Sequence, residues 1–350
     1  MHMADALISP IVGGTMWAAS AGVAAYSIKK IQSDLDQKKI PLMGVMGAFI
    51  FAAQMINFAI PATGSSGHLG GGMLLSILLG PYAGFLTMAS ILAIQALFFA
   101  DGGLLAYGCN VFNLGFFTCF IAYPLIYKMI MRRGYTPARM FGAAMLSAII
   151  GLQLGAFGVV LETLFSGKTE LPFNTFVLLM QPIHLAIGVV EGLVTAAVVG
   201  FVWNARPEII ENVSLGKALG SISVKKVITG LVAVALITGG IFSWFASAQP
   251  DGLEWSMFKT AGVEELETAD GIHQTAGEIQ EKTAFLPDYG FKATETAAEP
   301  SAAESEEAWP AVSAGTSVSG VIGGTLTLVL ACIIGLGISI VKRRGKVGAA

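Results

Sequence analysis

The sequence predicts an all-α polytopic membrane protein: a seven-helix bundle followed by a two-helix hairpin that carries an acidic external segment. Three observations lead there. Hydrophobic residues make up 54% of the 350 residues and charged residues only 12%, where soluble domains carry about 25% charged residues. The apolar runs are long and nearly free of charge, and a spanning helix needs about 20 apolar residues. The basic residues gather into four short clusters: Lys29, Lys30, Lys38 and Lys39; Lys128, Arg132, Arg133 and Arg139; Arg206, Lys217, Lys225 and Lys226; and Lys342, Arg343, Arg344 and Lys346. Segment 248–318, by contrast, holds 14 acids against 3 lysines, a net −11.

Charge placement orders the helices. The positive-inside rule puts all four basic clusters in the cytoplasm and leaves the acidic segment outside. The first apolar run, Leu7 to Ile28, lacks a basic leader and a small-residue cleavage site, so it is expected to be retained. It must deliver Lys29 and Lys30 to the cytoplasm, which sets the N-terminus outside. A second helix over about 41–60 returns to the outside and leaves 61–68 there. The stretch from Leu69 to Ile130 must then cross an odd number of times. Gly80-Pro81 and Ala100-Asp101-Gly102-Gly103 are turn signals, which divide it into 69–79, 82–99 and 104–130. The first piece is short for a crossing and is expected to be tilted or partly re-entrant. Helices over about 140–165 and 176–203 complete seven. Two more, about 227–247 and 319–341, flank the acidic segment.

Three parts follow: a membrane domain over 1–205, a basic cytoplasmic linker over 206–226, and a second module over 227–350. Residues 293–309 are rich in Ala, Glu, Ser and Thr and read as flexible linker. Cys109, Cys119 and Cys332 lie in apolar helices without C-x-x-C spacing, so they are expected as buried small hydrophobes rather than a disulfide or zinc site. No Walker A sequence is present, so ATP hydrolysis by that route is excluded. No nucleophile–base set or catalytic carboxylate pair stands out. No catalytic residue, bound cofactor or nucleic-acid partner is expected; the surrounding partner is the lipid bilayer.

The chemistry-bearing residues are few. The chain begins Met1-His2-Met3-Ala4-Asp5. A histidine in second place offers three nitrogens: the Met1 amine, the His2 amide and the His2 imidazole. Amine and amide close a five-membered ring; amide and Nδ1 close a six-membered ring. Three nearly coplanar nitrogens suit a square-planar ion, Ni(II) or Cu(II). His68, in Gly64-Ser65-Ser66-Gly67-His68-Leu69-Gly70-Gly71, is the leading candidate for a fourth ligand. Ionisable groups inside a membrane are expensive and functional by default. Glu162 lies near an outer helix end. His184 and Glu191, seven apart, share a helix face two turns apart; they either relay a metal or proton or fix neighbouring helices by hydrogen bonds. Asn110 and Asn113, three apart, face the same way; they either orient His68 or its loop or pack between helices.

Together these pieces resemble the substrate-capture M subunit (CbiM/NikM family) of nickel/cobalt energy-coupling-factor transporters, fused to an N-type subunit. The resemblance rests on Met1-His2 with Leu7-Ile8-Ser9-Pro10, the Gly64–Gly71 loop, Gly108-Cys109-Asn110-Val111-Phe112-Asn113-Leu114-Gly115, and His184 through Leu193. Pro250-Asp251-Gly252-Leu253-Glu254-Trp255 is similar to the PDGLE motif of the partner subunit. The resemblance implies capture of Ni²⁺ or Co²⁺ outside the cell membrane through Met1, His2 and His68. It also implies a separate transmembrane coupling (T/Q-type) subunit and ATP-binding cassette ATPases. Asp5 follows Met3-Ala4, a departure from the family's usual acidic position that leaves the chelate intact. Small residues at Ala18/Gly22 and Ala21/Ala25 permit close packing, either to that coupling subunit or within the bundle. Planar nitrogen ligation favours nickel over cobalt. A membrane-anchored metal sensor or scaffold that does not itself transport is the alternative.

The orientation is tested by thiol labelling in intact cells, in a background without the native cysteines. Leu35→Cys and Tyr135→Cys are expected to be shielded from a membrane-impermeant reagent, and Pro300→Cys to react. Labelling at 35 or 135 would overturn the assignment.

Overall fold

The structure is a computed structural model and describes residues 2–34, 36–268, 271–292 and 309–347. Six described helices are long and apolar enough to cross a membrane, which makes the chain a multi-pass membrane protein. They are α1 (Pro10–Asp34), α4 (Pro81–Ile94, continued as a wider π-type coil over Gln95–Phe99), α5 (Tyr107–Met131), α6 (Pro137–Phe165), α7 (Phe173–Ala205) and α12 (Ala314–Val347). Shorter helices are α2 (Lys39–Gln54), α3 (Gly72–Leu79), α8 (Pro207–Ser214), α9 (Lys225–Gly240), α10 (Gly252–Ala261) and α11 (Ile272–Thr283).

The sequence reading departs from the structure at two places. The second helix, expected to 60, stops at Gln54. There the Gln54 amide turns inward, donating to the Gly70 carbonyl at 2.9 Å and accepting from Gln95 at 2.9 Å. The chain then forms a small antiparallel hairpin, β1 (Phe58–Ile60) with β2 (Ser65–Gly67), in register Phe58 opposite Gly67. Ile60 precedes Pro61, and a residue before proline is pushed to extended geometry. The segment 69–79, expected to be short for a crossing, leads from the His68 loop to the Gly80-Pro81 turn beside Lys30, Lys39 and Lys128. Its helix α3 has eight residues, about 12 Å at 1.5 Å per residue against a hydrocarbon core of about 30 Å. All eight are buried, because neighbouring helices surround it on every side. It reads as apolar for that reason. The second difference is in α5, where Phe112–Tyr127 coils in the wide π form. Pro124 lies in that stretch; it lacks an amide proton and collides with the carbonyl four residues back in a regular α-helix.

The linker 206–226 is not featureless: α8 occupies its first part, with Ile209, Ile210 and Val213 buried. The two helices of the second module, α9 and α12, both pack on α2. They meet closely where the Gly239 and Gly320 backbones touch, an approach that a side chain on Gly320 would prevent. The three cysteines are free; Cys109 and Cys119 are buried and Cys332 is half-buried. The expected linker 293–309 lies, except for its last residue, outside the described residues.

Candidate metal-capture site

The N-terminal segment enters the mouth of the bundle with Ala4 extended and Asp5–Leu7 in a single 3₁₀ turn, and its backbone is fastened at several points. Met3, fully buried, donates its amide to Asn110 Oδ1 at 2.8 Å, and its carbonyl accepts from Asn110 Nδ2 at 3.1 Å and from the Gly103 amide at 2.9 Å. Asp5 Oδ1 accepts from the Ala106 amide at 2.9 Å. The Asp5 carboxylate lies so close to Gly103 that a side chain there has no room. His273 of α11 donates through Nε2 to the Ile8 carbonyl at 2.7 Å. The loop 100–106, read from the sequence only as a turn, is thus half of the cradle.

This threading places His2 against His68. The two imidazoles stack with centroids 4.9 Å apart and planes 29° apart. Both are sequestered, with side chains 7% and 9% exposed. His2 Nδ1 donates to Asp101 Oδ1 at 2.7 Å, and its Nε2 is buried without a hydrogen-bond partner among the described residues. Asp101 Oδ2 accepts from the Tyr289 hydroxyl. Burial opposes ionisation of Asp101, but the charge of His2 and the hydrogen bonds from His2 and Tyr289 outweigh it and hold the carboxyl below its usual range. His68 gives its Nδ1 proton to the Leu69 carbonyl at 3.2 Å, which leaves the lone pair on Nε2. That nitrogen lies 3.8 Å from Asp251 Oδ2. Burial, reinforced by nearby positive charge, pushes the His68 pKa down to about 3, so the ring is neutral at physiological pH.

The loop that carries His68 is held from inside the bundle. Glu191 accepts the Gly70 and Gly71 amides at 2.9 and 3.1 Å, one on each carboxylate oxygen. Gly71 sits at φ +80, with Ile50 packed against the position a side chain would take. The loop is held from outside by the second module. Ser66 donates its amide to the Pro250 carbonyl at 2.8 Å and its hydroxyl to the Gln249 carbonyl at 2.7 Å. Trp255 Nε1 donates to the Thr63 carbonyl at 3.0 Å. Asp251 caps α10, accepting from the Leu253 and Glu254 amides, while Glu254 answers to the Asp251 amide. This reciprocal capping box fixes the end of the helix beside His68.

Each residue singled out in the sequence now has a position. His2 and His68 come together. Met1 lies outside the described residues. Asn110 and Asn113 serve the N-terminal segment rather than His68: Asn110 pairs with the Met3 backbone, and Asn113 donates to Glu162 at 2.7 Å beneath it. His184 and Glu191 take separate hydrogen-bond partners. Glu191 anchors the loop, whereas His184 Nδ1 donates to the Met180 carbonyl of its own helix at 2.8 Å. His184 Nε2, buried and without a partner among the described residues, borders a small cavity shared with His68 and Asp251. Asp101, Asp251, His273 and Tyr289 were missed as members of the site. Asp101 had a signal, a lone carboxylate between apolar runs, and the capping pattern Asp251-x-x-Glu254 was legible. Among the described residues, no three His, Cys, Asp or Glu side chains converge on one point.

The described residues thus form a bundle of membrane-spanning helices with two stacked, buried imidazoles at its mouth. Residues 2–209 match the CbiM family, described as the cobalt uptake substrate-specific transmembrane region, and residues 225–340 match the PDGLE domain. The chain belongs to the CbiM family, with a PDGLE domain fused behind it. It is 37% identical over 235 residues to a chain of Archaeoglobus fulgidus provisionally named a fused nickel transport protein, NikMN, covering 67% of this chain and 75% of that one. It is 31% identical over 229 residues to the fused nickel transport protein NikMN of Rhodobacter capsulatus, covering 60% and 64%. The crystal structure of a truncated transition metal transporter superposes with a TM-score of 0.53 at 29% identity, covering 59% of this chain and 99% of that one.

The Glu191 anchor is testable without any ligand. Glu191→Ala strands two buried amides, which costs about 1–3 kcal/mol. Hydrogen exchange at Gly70 and Gly71 is expected to accelerate while exchange in α5 and α6 stays unchanged. Unaltered protection at both glycines would show that the carboxylate does not hold the loop.

Proposed function

We propose that this chain is the capture subunit of a nickel or cobalt transporter, binding Ni²⁺ or Co²⁺ at the outer mouth of its bundle through Met1, His2 and His68. The observation that carries the reading is the buried stack of His2 and His68, delivered by a fastened N-terminal segment. Two imidazoles alone make a poor site. The amine of Met1 and the amide of His2 supply the remaining nitrogens and complete a planar four-nitrogen set, which favours nickel. Coordination by His2 Nδ1 requires that ring to give up its hydrogen bond to Asp101. Neutral His68 presents Nε2 with no proton to remove. Asn110 and Glu191 act behind the ligands, one through Met3 and the other through the His68 loop. His184 lies behind the His68 ring, and Asn113 acts through Glu162 beneath Met3.

The chain carries no ATP-hydrolysing sequence of its own, so uptake falls to partners: a transmembrane coupling subunit and ATP-binding cassette ATPases. The N-terminus and the segment 248–318 lie outside in this reading, and the basic helix ends lie in the cytoplasm.

Calorimetry on the purified full chain tests the chelate. One residue added before Met1 turns the amine into a poorer amide ligand and moves His2 out of the ring pattern, so tight nickel binding is expected to disappear, as in His2→Ala. His68→Ala is expected to retain weak binding, with water as fourth ligand. His184→Ala is expected to cost about 10–100-fold, as for groups behind the ligands. Binding is expected to fade as pH falls, because the amine and amide must shed protons. Unchanged affinity in the extended variant would remove the amine from the site. Transport is tested separately in vesicles supplied with coupling and ATPase subunits; failure to accumulate either metal would favour a sensor or scaffold.

A further inference from the structure

Beside the stacked imidazoles, the His68 loop, α7 and the PDGLE motif border a cavity of about 10 Å³ whose lining includes His68, His184, Asp251 and Gly252. That is room for one water-sized group. His184 Nε2 is buried with no hydrogen-bond partner among the described residues. Its Nδ1 donates to the Met180 carbonyl, so Nε2 carries a lone pair, and a buried acceptor without a donor is rare. The ring abuts the second module: a side chain on Gly252 would come within 3.2 Å of His184 Cε1.

Asp251 is the second, independent observation. Its Oδ1 is spent on the cap of α10, 2.7 and 3.0 Å from the Leu253 and Glu254 amides. Its Oδ2 lies 3.8 Å from His68 Nε2. His68 gives its Nδ1 proton to the Leu69 carbonyl, so these two atoms are both acceptors and neither can donate to the other. An anionic oxygen and two imidazole lone pairs thus belong to the lining of one small space. What suits all three is a cation with several N–H donors. Such a group is within reach. His2 stacks on His68 with centroids 4.9 Å apart, and the chain starts one residue before His2, a step of about 3.8 Å. Burial opposes ionisation of Asp251, but chiefly the positive charge of the amino terminus outweighs it and holds the carboxyl below its usual range.

We propose that Asp251, with His184 Nε2 and His68 Nε2, seats the Met1 ammonium of the unloaded chain, so that the second module holds the amine where the ion is to bind. The amine's part in chelation rests on the function proposed above; the seat itself does not. When nickel enters, the ammonium and the His2 amide each lose one proton to water and two Ni–N bonds form. A dication in place of two protons leaves the same single positive charge facing Asp251. The carboxylate therefore serves both states, but its loss falls on them unequally. A freed ammonium swings out to solvent, whereas the ion cannot do so without leaving its ring nitrogens.

The test uses the purified full chain, first without metal. The Met1 amine is acylated with an N-hydroxysuccinimide ester at neutral pH, and the rate is read by mass spectrometry of the N-terminal peptide. Asp251→Asn keeps a good helix cap and removes the charge; it is expected to speed acylation about tenfold or more. Glu254→Gln alters the capping box and leaves Asp251 in place, and is expected to keep the original rate. In a chain extended by one residue the amine has left its seat, so acylation is already fast and Asp251→Asn adds nothing. Monodisperse elution verifies that each variant is folded. Calorimetry is then expected to show nickel affinity about 10–100-fold lower in Asp251→Asn. Unchanged acylation in Asp251→Asn, or equal acceleration in Glu254→Gln, would overturn the proposal. So would weaker nickel binding with unaltered acylation, which would put the carboxylate on the ion itself. Unchanged nickel affinity in both His2→Ala and the extended chain would sink the capture function instead, and the metal-free acylation rates would still decide the seat.

Discussion

The geometry of the site depends on burying a short segment, residues 2–8, whose only regular structure is the 3₁₀ turn Asp5–Leu7, in the mouth of a helical bundle. Backbone outside an α-helix is costly inside a membrane protein unless each of its polar groups finds a partner. Here side chains and loop amides supply those partners. Asn110 takes both the amide and the carbonyl of Met3, Gly103 adds a second donor to the same carbonyl, and His273 reaches the Ile8 carbonyl. Ordering such a segment costs roughly 1–2 kcal/mol per residue, so the fastening has to be dense. It is densest at Met3, one residue from His2, which is where a loose chain would spoil the approach to His68.

The fastenings come from both parts of the chain. Asn110, Gly103 and Ala106 belong to the first part, while His273 and Tyr289 come from the second. The hairpin that precedes His68 is likewise shared: Glu191 grips the Gly70–Gly71 turn from within, and Pro250 and Trp255 grip Ser66 and Thr63 from outside. The PDGLE motif is therefore a seat. Pro250 presents a carbonyl, Asp251 caps its helix beside His68, and Gly252 lets α10 approach Ile183 and Ile187 of α7.

The fold was legible where apolar length and charge speak for themselves. α1, α4, α6 and α7 begin and end within a few residues of their expected bounds, because lipid exposure forces long apolar runs and charge marks their ends. The reading failed where burial in protein imitates burial in lipid. Gln54 ends α2 inside an apolar run because its amide finds Gly70 and Gln95. The imidazoles were legible as chemistry, since a second-place histidine and a glycine-flanked histidine are unusual in so apolar a chain. Their carboxylate neighbours were not. Asp101 and Asp251 lie 33 and 183 residues beyond His68 in the chain, and nothing local says that a turn residue and a helix cap will meet the same pair of rings.

In the proposed capture site, that pairing bears on how tightly an ion is held. His2 cannot coordinate through Nδ1 while Nδ1 donates to Asp101, so the strength of that hydrogen bond subtracts from metal affinity. Asp101 is not free to bond at full strength, because Tyr289 draws on its other oxygen. A hydroxyl donated to a carboxylate spreads its charge and weakens what it offers a second donor. The second part of the chain thus reaches the site in two ways, by seating the His68 loop and by engaging the carboxylate that competes for His2. Both act through hydrogen bonds that can be removed singly, by Tyr289→Phe and by Trp255→Phe. The first change strengthens the hold of Asp101 on His2 and lowers nickel affinity. The second loosens the hairpin and leaves the His2–Asp101 contact intact. If Tyr289→Phe instead leaves nickel affinity unchanged in calorimetry, the competition between Asp101 and the ion plays no part in setting it.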